Sequence, residues 1–259
     1  MMLQKSSSKE VPLEIKNSLY ELYNSGKFEP VIENIKSLIM EFPHSSFLFN
    51  LSGSTNLALQ KFEIAIKNFQ VACKINPNLP ETYYNLGLAF HLIGKIEKAI
   101  ISYKKALLLK PNYADAYCNL GMAQQVQGNF KEAISSFKKS IKCNSNFVGS
   151  YFNLGNLFTS LGKLDLAIVY FKKAISLNPN YYEAYLNLGN VFKIRGKFNS
   201  SIYYYKRAID LNPKSYEGLC NLSNAFIETN DISNAIKNAK LAIKLNKSKS
   251  EAIQKYGII

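Results

Sequence analysis

The chain has 259 residues, of which 47% are hydrophobic, so it holds enough apolar material for a core and is not disordered throughout. Lysine and arginine outnumber aspartate and glutamate by 32 to 18, which gives a net charge of +14. Four cysteines without a Cys-x-x-Cys pair, and two histidines, exclude a disulfide scaffold and a zinc ribbon. No stretch approaches the ~20 apolar residues of a membrane span. Residues 1–11 lack the apolar core of a signal peptide, so we expect a flexible N-terminal segment and a cytoplasmic protein.

The sequence repeats with a period of 34 residues. An Asn-Leu-Gly tripeptide recurs at this step, together with a glycine near the middle of each repeat and a proline near its end, as in Gly87, Gly94 and Pro111. Counting at this step gives seven repeats: 12–45, 46–79, 80–113, 114–147, 148–181, 182–215 and 216–249. Residues 250–259 then form either a partial eighth repeat or a C-terminal cap. Positions are numbered below from the first residue of each repeat.

Each repeat is predicted to form two α-helices. In repeat 80–113 the apolar residues recur at helical spacing in two runs, Gly94 permits a turn between them, and Pro111 prevents the second helix from continuing. Most first helices open with an acidic residue, which favours the positive end of the helix dipole; these are Glu81, Asp115, Glu183, Glu217 and Glu251. One helix pair cannot bury its apolar face alone, whereas stacked pairs form a continuous core.

This pattern resembles the tetratricopeptide repeat. Repeat 80–113 carries the family signature as Tyr83, Leu86-Gly87, Phe90, Ala99, Tyr103, Ala106 and Pro111. The resemblance implies an all-α, right-handed superhelical solenoid whose first helices line a concave groove. Repeat 12–45 departs most from the signature, with Ser18-Leu19 in place of Leu-Gly, as is typical of a capping repeat.

Position 6 of five successive repeats is asparagine, on the side of the first helix that the family turns into the groove. The column comprises Asn85, Asn119, Asn153, Asn187 and Asn221, and Asn156, Asn190 and Asn224 follow three residues later on the same helix face. An amide offers both a donor and an acceptor, so such a column suits the backbone of an extended peptide. It resembles the asparagine ladder of the repeat domains of protein O-GlcNAc transferases. The alternative is a structural role, since the Asn-Leu-Gly tripeptide is common in these repeats.

We therefore predict a non-catalytic scaffold that binds an extended protein or peptide through this column. Apolar groove contacts are expected from Tyr84, Phe152, Leu88, Met122 and Leu186. The resemblance also permits a second function: a substrate-recruiting region of a glycosyltransferase-like, sulfotransferase or oxygenase protein whose catalytic domain is absent from this chain. The basic clamp with which some relatives hold acidic C-terminal tails is missing, because its positions carry acidic, aromatic or apolar residues. The oligomeric state is left open.

Two further functions have weaker support. Lysines recur on the second helices, at Lys104-Lys105, Lys138-Lys139, Lys172-Lys173 and Lys206-Arg207, and a basic surface attracts nucleic acid. A solvated helix face has the same composition, and helical RNA readers vary their side chains from repeat to repeat, so we do not expect nucleic acid as a partner. His44 and His91 lie in different repeats and no catalytic motif is present, so we expect no catalytic residue, cofactor or metal.

Overall fold

The computed structural model describes the backbone of residues 10–256 and the side chains of residues 10–246. Fourteen α-helices and no strands lie within that range. They are α1 (Leu13–Asn24), α2 (Phe28–Glu41), α3 (Ser46–Ala58), α4 (Phe62–Ile75), α5 (Pro80–Leu92), α6 (Ile96–Leu109), α7 (Ala114–Val126), α8 (Phe130–Cys143), α9 (Val148–Ser160), α10 (Leu164–Leu177), α11 (Tyr182–Ile194), α12 (Phe198–Leu211), α13 (Tyr216–Glu228) and α14 (Ile232–Tyr256).

The helices pair in chain order, each odd-numbered helix packing against the even-numbered helix that follows it. From α3 to α13 every odd-numbered helix begins at the first residue of a 34-residue repeat, as at Ser46 and Pro80. The predicted all-α fold of helix-turn-helix repeats is thus confirmed. Odd-numbered helices are called first helices below, and even-numbered helices are called second helices.

The chain divides into two compact parts, residues 1–143 and residues 144–259, called here the N-terminal half and the C-terminal half. In the N-terminal half, α5 contacts the first helices α3 and α7 on either side. In the C-terminal half, α11 contacts α9 and α13 in the same way. Each half therefore presents a row of adjacent first helices.

A glycine beneath an aromatic ring brings the two helices of a repeat together. A Cβ atom added to Gly87 would lie 2.7 Å from the ring of Tyr103, and one added to Gly189 would lie 2.6 Å from the ring of Tyr205. Gly53, Gly121 and Gly155 meet Phe69, Phe137 and Phe171 at similar distances. All five rings are fully buried. In these five repeats position 8 thus needs glycine because the ring of the second helix occupies the space of a side chain.

The turn between the two helices of a repeat requires a residue with positive φ. Gly94, Gly128, Gly162 and Gly196 adopt φ between 68° and 79°, and in two repeats Gln60 and Asn230 take the same position at φ 58°. A side chain with a Cβ costs energy in this region, although asparagine tolerates it better than most residues.

We therefore expect Gln60→Gly to raise the free energy of unfolding by about 0.5–1 kcal/mol. Asn230→Gly is the matched control and should have a smaller effect, because asparagine already tolerates this backbone conformation. Urea denaturation followed by circular dichroism measures both changes. Equal effects, or a loss of stability in Gln60→Gly, would contradict the expectation.

The structure describes the two ends of the repeat array to different extents. At the N-terminal end Val11 is buried in a core cluster together with Leu19 and Val31, whereas residues 1–9 lie outside the described range. At the C-terminal end α14 runs without interruption from Ile232 to Tyr256. The boundary placed at 249/250 therefore lies inside one helix, and residues 257–259 lie outside the described range.

Candidate functional site: the exposed face of the first helices

The accessible side of each first helix consists of positions 2, 6, 9 and 13. Steps of three and four residues place these positions within about 60° of one another around the helix. On α5 and α7 they are Glu81, Asn85, Leu88, Leu92 and Asp115, Asn119, Met122, Val126. On α9, α11 and α13 they are Gly149, Asn153, Asn156, Ser160; Glu183, Asn187, Asn190, Ile194; and Glu217, Asn221, Asn224, Glu228. All are exposed or half-buried, and they are called the first-helix face below.

Core packing places the asparagines on this face. On α5 the residues after Asn85 are Leu86, which is 7% exposed, and Gly87, which packs under Tyr103. Since the leucine and the glycine must point toward the second helix, the residue before them points away from it. The five column asparagines are accordingly all half-buried, each at the same point along its helix.

In the C-terminal half the asparagines bind one another across neighbouring repeats. Asn187 donates an Nδ2 hydrogen to Asn156 Oδ1 at 2.8 Å, and Asn221 donates to Asn190 Oδ1 at 3.2 Å. Asn190 Oδ1 also accepts from Tyr205 Oη at 2.7 Å. These bonds fix the orientation of Asn187 and Asn221 and leave each a second N–H and a carbonyl oxygen that no other described residue uses.

In the N-terminal half the column has a different partner. Asn119 donates an Nδ2 hydrogen to Tyr84 Oη at 3.0 Å, and the ring of Tyr84 lies 5.0 Å from that of Tyr113. Burial, together with the negative charge of Asp115, raises the pKa of Tyr84, so its hydroxyl stays protonated at neutral pH. No described residue accepts that proton. Asn85 makes no side-chain hydrogen bond within the described part of the chain.

The five apolar residues expected to line a groove have different environments. Leu88 and Met122 are half-buried at position 9 of the first-helix face. Tyr84 and Phe152 are half-buried at position 5 and pack on aromatic rings, Phe152 lying 4.8 Å from Tyr181 between ring centroids. Leu186 is only 5% exposed and belongs to a core cluster, so it offers almost no surface to a ligand.

Position 13 adds exposed apolar residues that the sequence reasoning missed. Leu92 is 53% exposed, Val126 65% and Ile194 60%. Each follows position 9 by four residues, one helical turn, and that spacing was the available signal. These side chains extend the first-helix face beyond the asparagines toward the C-terminal end of each helix.

Charge is segregated between the two kinds of helix. The first helices from α5 to α13 carry an acidic residue at position 2 in all but α9, and α9 has no charged residue. The paired lysines lie exposed on the second helices, where Lys105 and Lys139 sit 5.9 and 5.8 Å from the ring centroids of Tyr83 and Tyr117. The excess of positive charge is therefore not carried by the first-helix face.

No three side chains of His, Cys, Asp or Glu in the described part of the chain come together as metal ligands. No described helix combines the length and the apolar character that a membrane crossing requires.

Comparison with known proteins supports the same repeat pattern. Models of the tetratricopeptide repeat match residues 114–147, 149–181, 182–215 and 216–249. A TPR repeat model matches residues 53–94 and 88–128. The matched segments together span most of the chain. No curated protein sequence matches the chain.

Solved structures of the same fold are numerous. A crystal structure of MamA is 30% identical with a TM-score of 0.58, over 62% of this chain and 95% of that one. The C-terminal part of a TPR repeat-containing protein from Cytophaga hutchinsonii is 19% identical with a TM-score of 0.72, over 93% and 99% of the two chains. YrrB, described as a TPR protein with an unusual peptide-binding site, is 22% identical with a TM-score of 0.57, over 73% and 98%. The chain belongs to the tetratricopeptide repeat family, whose fold typically serves as a non-catalytic scaffold for protein interaction.

Proposed function

We propose that each half of the chain binds an extended polypeptide across its first helices. Asn85 and Asn119 in the N-terminal half, and Asn153, Asn187 and Asn221 in the C-terminal half, hold the backbone of the bound segment. The observation that carries this proposal is the orientation of the column amides in the C-terminal half. Asn187 and Asn221 lie on the first-helix face, and one internal hydrogen bond fixes the amide of each. The remaining N–H and carbonyl groups of Asn187 and Asn221 need a partner, which is water in the free protein and the peptide in the complex.

A column of amides recognises backbone rather than side chains. Each amide pairs with one backbone N–H and one C=O, which every residue except proline offers. Packed helices lie about 8–10 Å apart, and an extended chain advances about 3.3 Å per residue, so successive asparagines meet the peptide about every third residue. The column therefore holds an extended chain without dictating most of its sequence. YrrB, a protein of the same fold, is described as having a peptide-binding site, and this supports the proposal that the chain binds a peptide.

The test begins with a displayed library of random 15-residue peptides selected on the full chain. The best binder is then titrated against the double variant Asn153→Ala/Asn187→Ala by fluorescence anisotropy. We expect at least a tenfold loss of affinity, because several hydrogen bonds worth about 0.5–1.5 kcal/mol each are removed. Asn199→Ala is the matched control, since Asn199 is an exposed asparagine on the second helix α12 and should leave binding unchanged.

A second measurement separates backbone recognition from side-chain recognition. N-methylation of single backbone amides in the selected peptide removes one donor at a time without altering any side chain. We expect the affinity to fall sharply at about every third position. Unchanged affinity of the double variant, together with tolerance of N-methylation throughout, would contradict the proposal. The internal bonds among the asparagines would then be purely structural.

A further inference from the structure

The first-helix face of the N-terminal half differs chemically from that of the C-terminal half. Resting on the proposed function, we infer that α5 and α7 select a segment that carries both basic and apolar side chains. The occupant of this face is thus an extended peptide rich in lysine or arginine and in residues such as leucine or valine.

The acidic edge of this face is formed by Glu81 and Asp115. Both lie at position 2, on neighbouring helices in contact with each other. Glu81 pairs with Lys110 Nζ at 3.0 Å and keeps 52% of its side chain exposed. Asp115 is exposed and pairs with no cation in the described part of the chain. Asp115 is therefore an uncompensated negative charge beside the asparagine column.

The opposite edge of the same face is apolar. Leu88 and Met122 at position 9 are half-buried, and Leu92 and Val126 at position 13 are 53% and 65% exposed. The C-terminal half places Asn156, Asn190 and Asn224 at position 9 instead. Four apolar side chains on two adjacent helices expose hydrophobic surface that a partner of matching chemistry would cover.

Geometry sets the two edges on either side of the bound backbone. Positions 2 and 13 are separated by about 16 Å along the helix axis, with Asn85 and Asn119 between them. Successive side chains of an extended peptide point to opposite sides. A peptide held by the asparagines therefore directs some side chains toward the carboxylates and others toward the apolar edge, and its composition must satisfy both.

The overall charge of the protein favours the opposite preference. At +14 the chain as a whole attracts acidic peptides and repels basic ones. A preference for a basic peptide therefore has to arise from local carboxylates. At physiological salt the Debye length is about 8 Å, which screens the distant lysines more than a carboxylate in contact with the ligand.

The experiment uses three fluorescein-labelled probes whose side chains alternate along the peptide: six repeats of Lys-Leu, of Glu-Leu and of Lys-Ser. Their affinities for the full chain are measured by anisotropy at physiological salt. We expect the Lys-Leu probe to bind roughly tenfold more tightly than either of the others. Equal affinities, a preference for the glutamate probe, or failure of all three to bind would overturn the inference.

Variants then assign the preference to the residues named. Asp115→Asn should reduce the preference for lysine over glutamate about threefold, and Met122→Asn/Val126→Ser should reduce the preference for leucine over serine. Glu132→Gln and Ile101→Ser are the matched controls, because they alter an exposed acidic and an exposed apolar residue on second helices of the same half. If the control variants change the preferences as much as the test variants do, the selectivity does not arise from Asp115, Met122 and Val126.

A last variant separates this inference from the proposed function. Asn85→Ala/Asn119→Ala should weaken all three probes by a similar factor and leave their order unchanged. If this double variant leaves every affinity intact while Asp115→Asn still reduces the preference for lysine, the asparagine column does not hold the peptide backbone. The preference for basic and apolar side chains then stands without it. If the double variant abolishes binding while Asp115→Asn has no effect, the column binds peptide without this selectivity.

Discussion

Replacement of Gly155 by alanine is expected to lower the free energy of unfolding by roughly 3 kcal/mol. The added Cβ would lie 2.6 Å from two ring carbons of Phe171, and 2.8 Å from a third. Phe171 is fully buried, so its ring has no free space into which to move. The two helices α9 and α10 must therefore separate, and the core contacts of this repeat are lost together.

The control for this substitution is Gly162→Ala in the turn of the same repeat. No atom lies within 4 Å of a Cβ added there, so the cost is only that of φ +68° for a residue with a side chain. We expect about 1–2 kcal/mol. Combining Gly155→Ala with Phe171→Leu should restore part of the stability, because a smaller side chain makes room for the added methyl group.

Stacked repeats need not unfold in one step, so a local measurement is required as well. Hydrogen exchange read by mass spectrometry should show faster exchange in α9 and α10 of the Gly155→Ala variant. Urea denaturation gives the change in midpoint for the whole chain. If the Gly155→Ala variant is no less stable than the Gly162→Ala variant, close packing against the ring of the second helix does not explain why glycine recurs at position 8.

Much of the fold could be predicted because each boundary has its own local cause. Gly94 supports the turn with its positive φ and Pro111 stops the second helix, and both recur at the 34-residue step. Where these residues are missing the prediction is weakest. Lys247 stands where Pro213 stands one repeat earlier, and α14 continues past it to Tyr256. Proline is not required to end a second helix, however, because α8 ends at Cys143 although Ser145 replaces the proline there.

The candidate site was predictable in position but not in its contacts. The tripeptide Asn-Leu-Gly shows that the asparagine faces away from the second helix, because its two neighbours in sequence are needed in the core. The sequence did not show that Asn187 binds Asn156, since that bond depends on the spacing between two repeats. Nor did it show that Leu186 is buried, because position 5 is flanked by the neighbouring repeat, whose packing is a tertiary effect.

Two tyrosines at equivalent positions are expected to respond in opposite directions to the same substitution. Tyr103 and Tyr205 are both fully buried, and burial raises the pKa of both, so each remains a neutral phenol that needs a hydrogen-bond acceptor. Tyr205 Oη donates to Asn190 Oδ1 at 2.7 Å. Tyr103 Oη has no hydrogen-bond partner among the described residues, because Leu88 occupies the position of Asn190.

Tyr205→Phe should therefore lower the free energy of unfolding by about 1 kcal/mol, since a satisfied hydrogen bond is lost. Tyr103→Phe should raise it by about 1 kcal/mol, since an unsatisfied buried hydroxyl is removed without a change in ring packing. Urea denaturation of the two variants, compared with the wild-type chain, measures both. The difference in sign is the result to look for, because the two residues have the same burial and the same helix position.

The origin of that difference can be isolated by supplying the missing acceptor. Leu88→Asn places an amide where the C-terminal half has Asn190, and in that background Tyr103→Phe should become destabilising. The double-mutant cycle between residues 88 and 103 should give a favourable coupling energy of about 1 kcal/mol. A coupling near zero would mean that the hydroxyl of Tyr103 does not reach position 88. The contrast between the two tyrosines would then need a cause other than the exchange of asparagine for leucine.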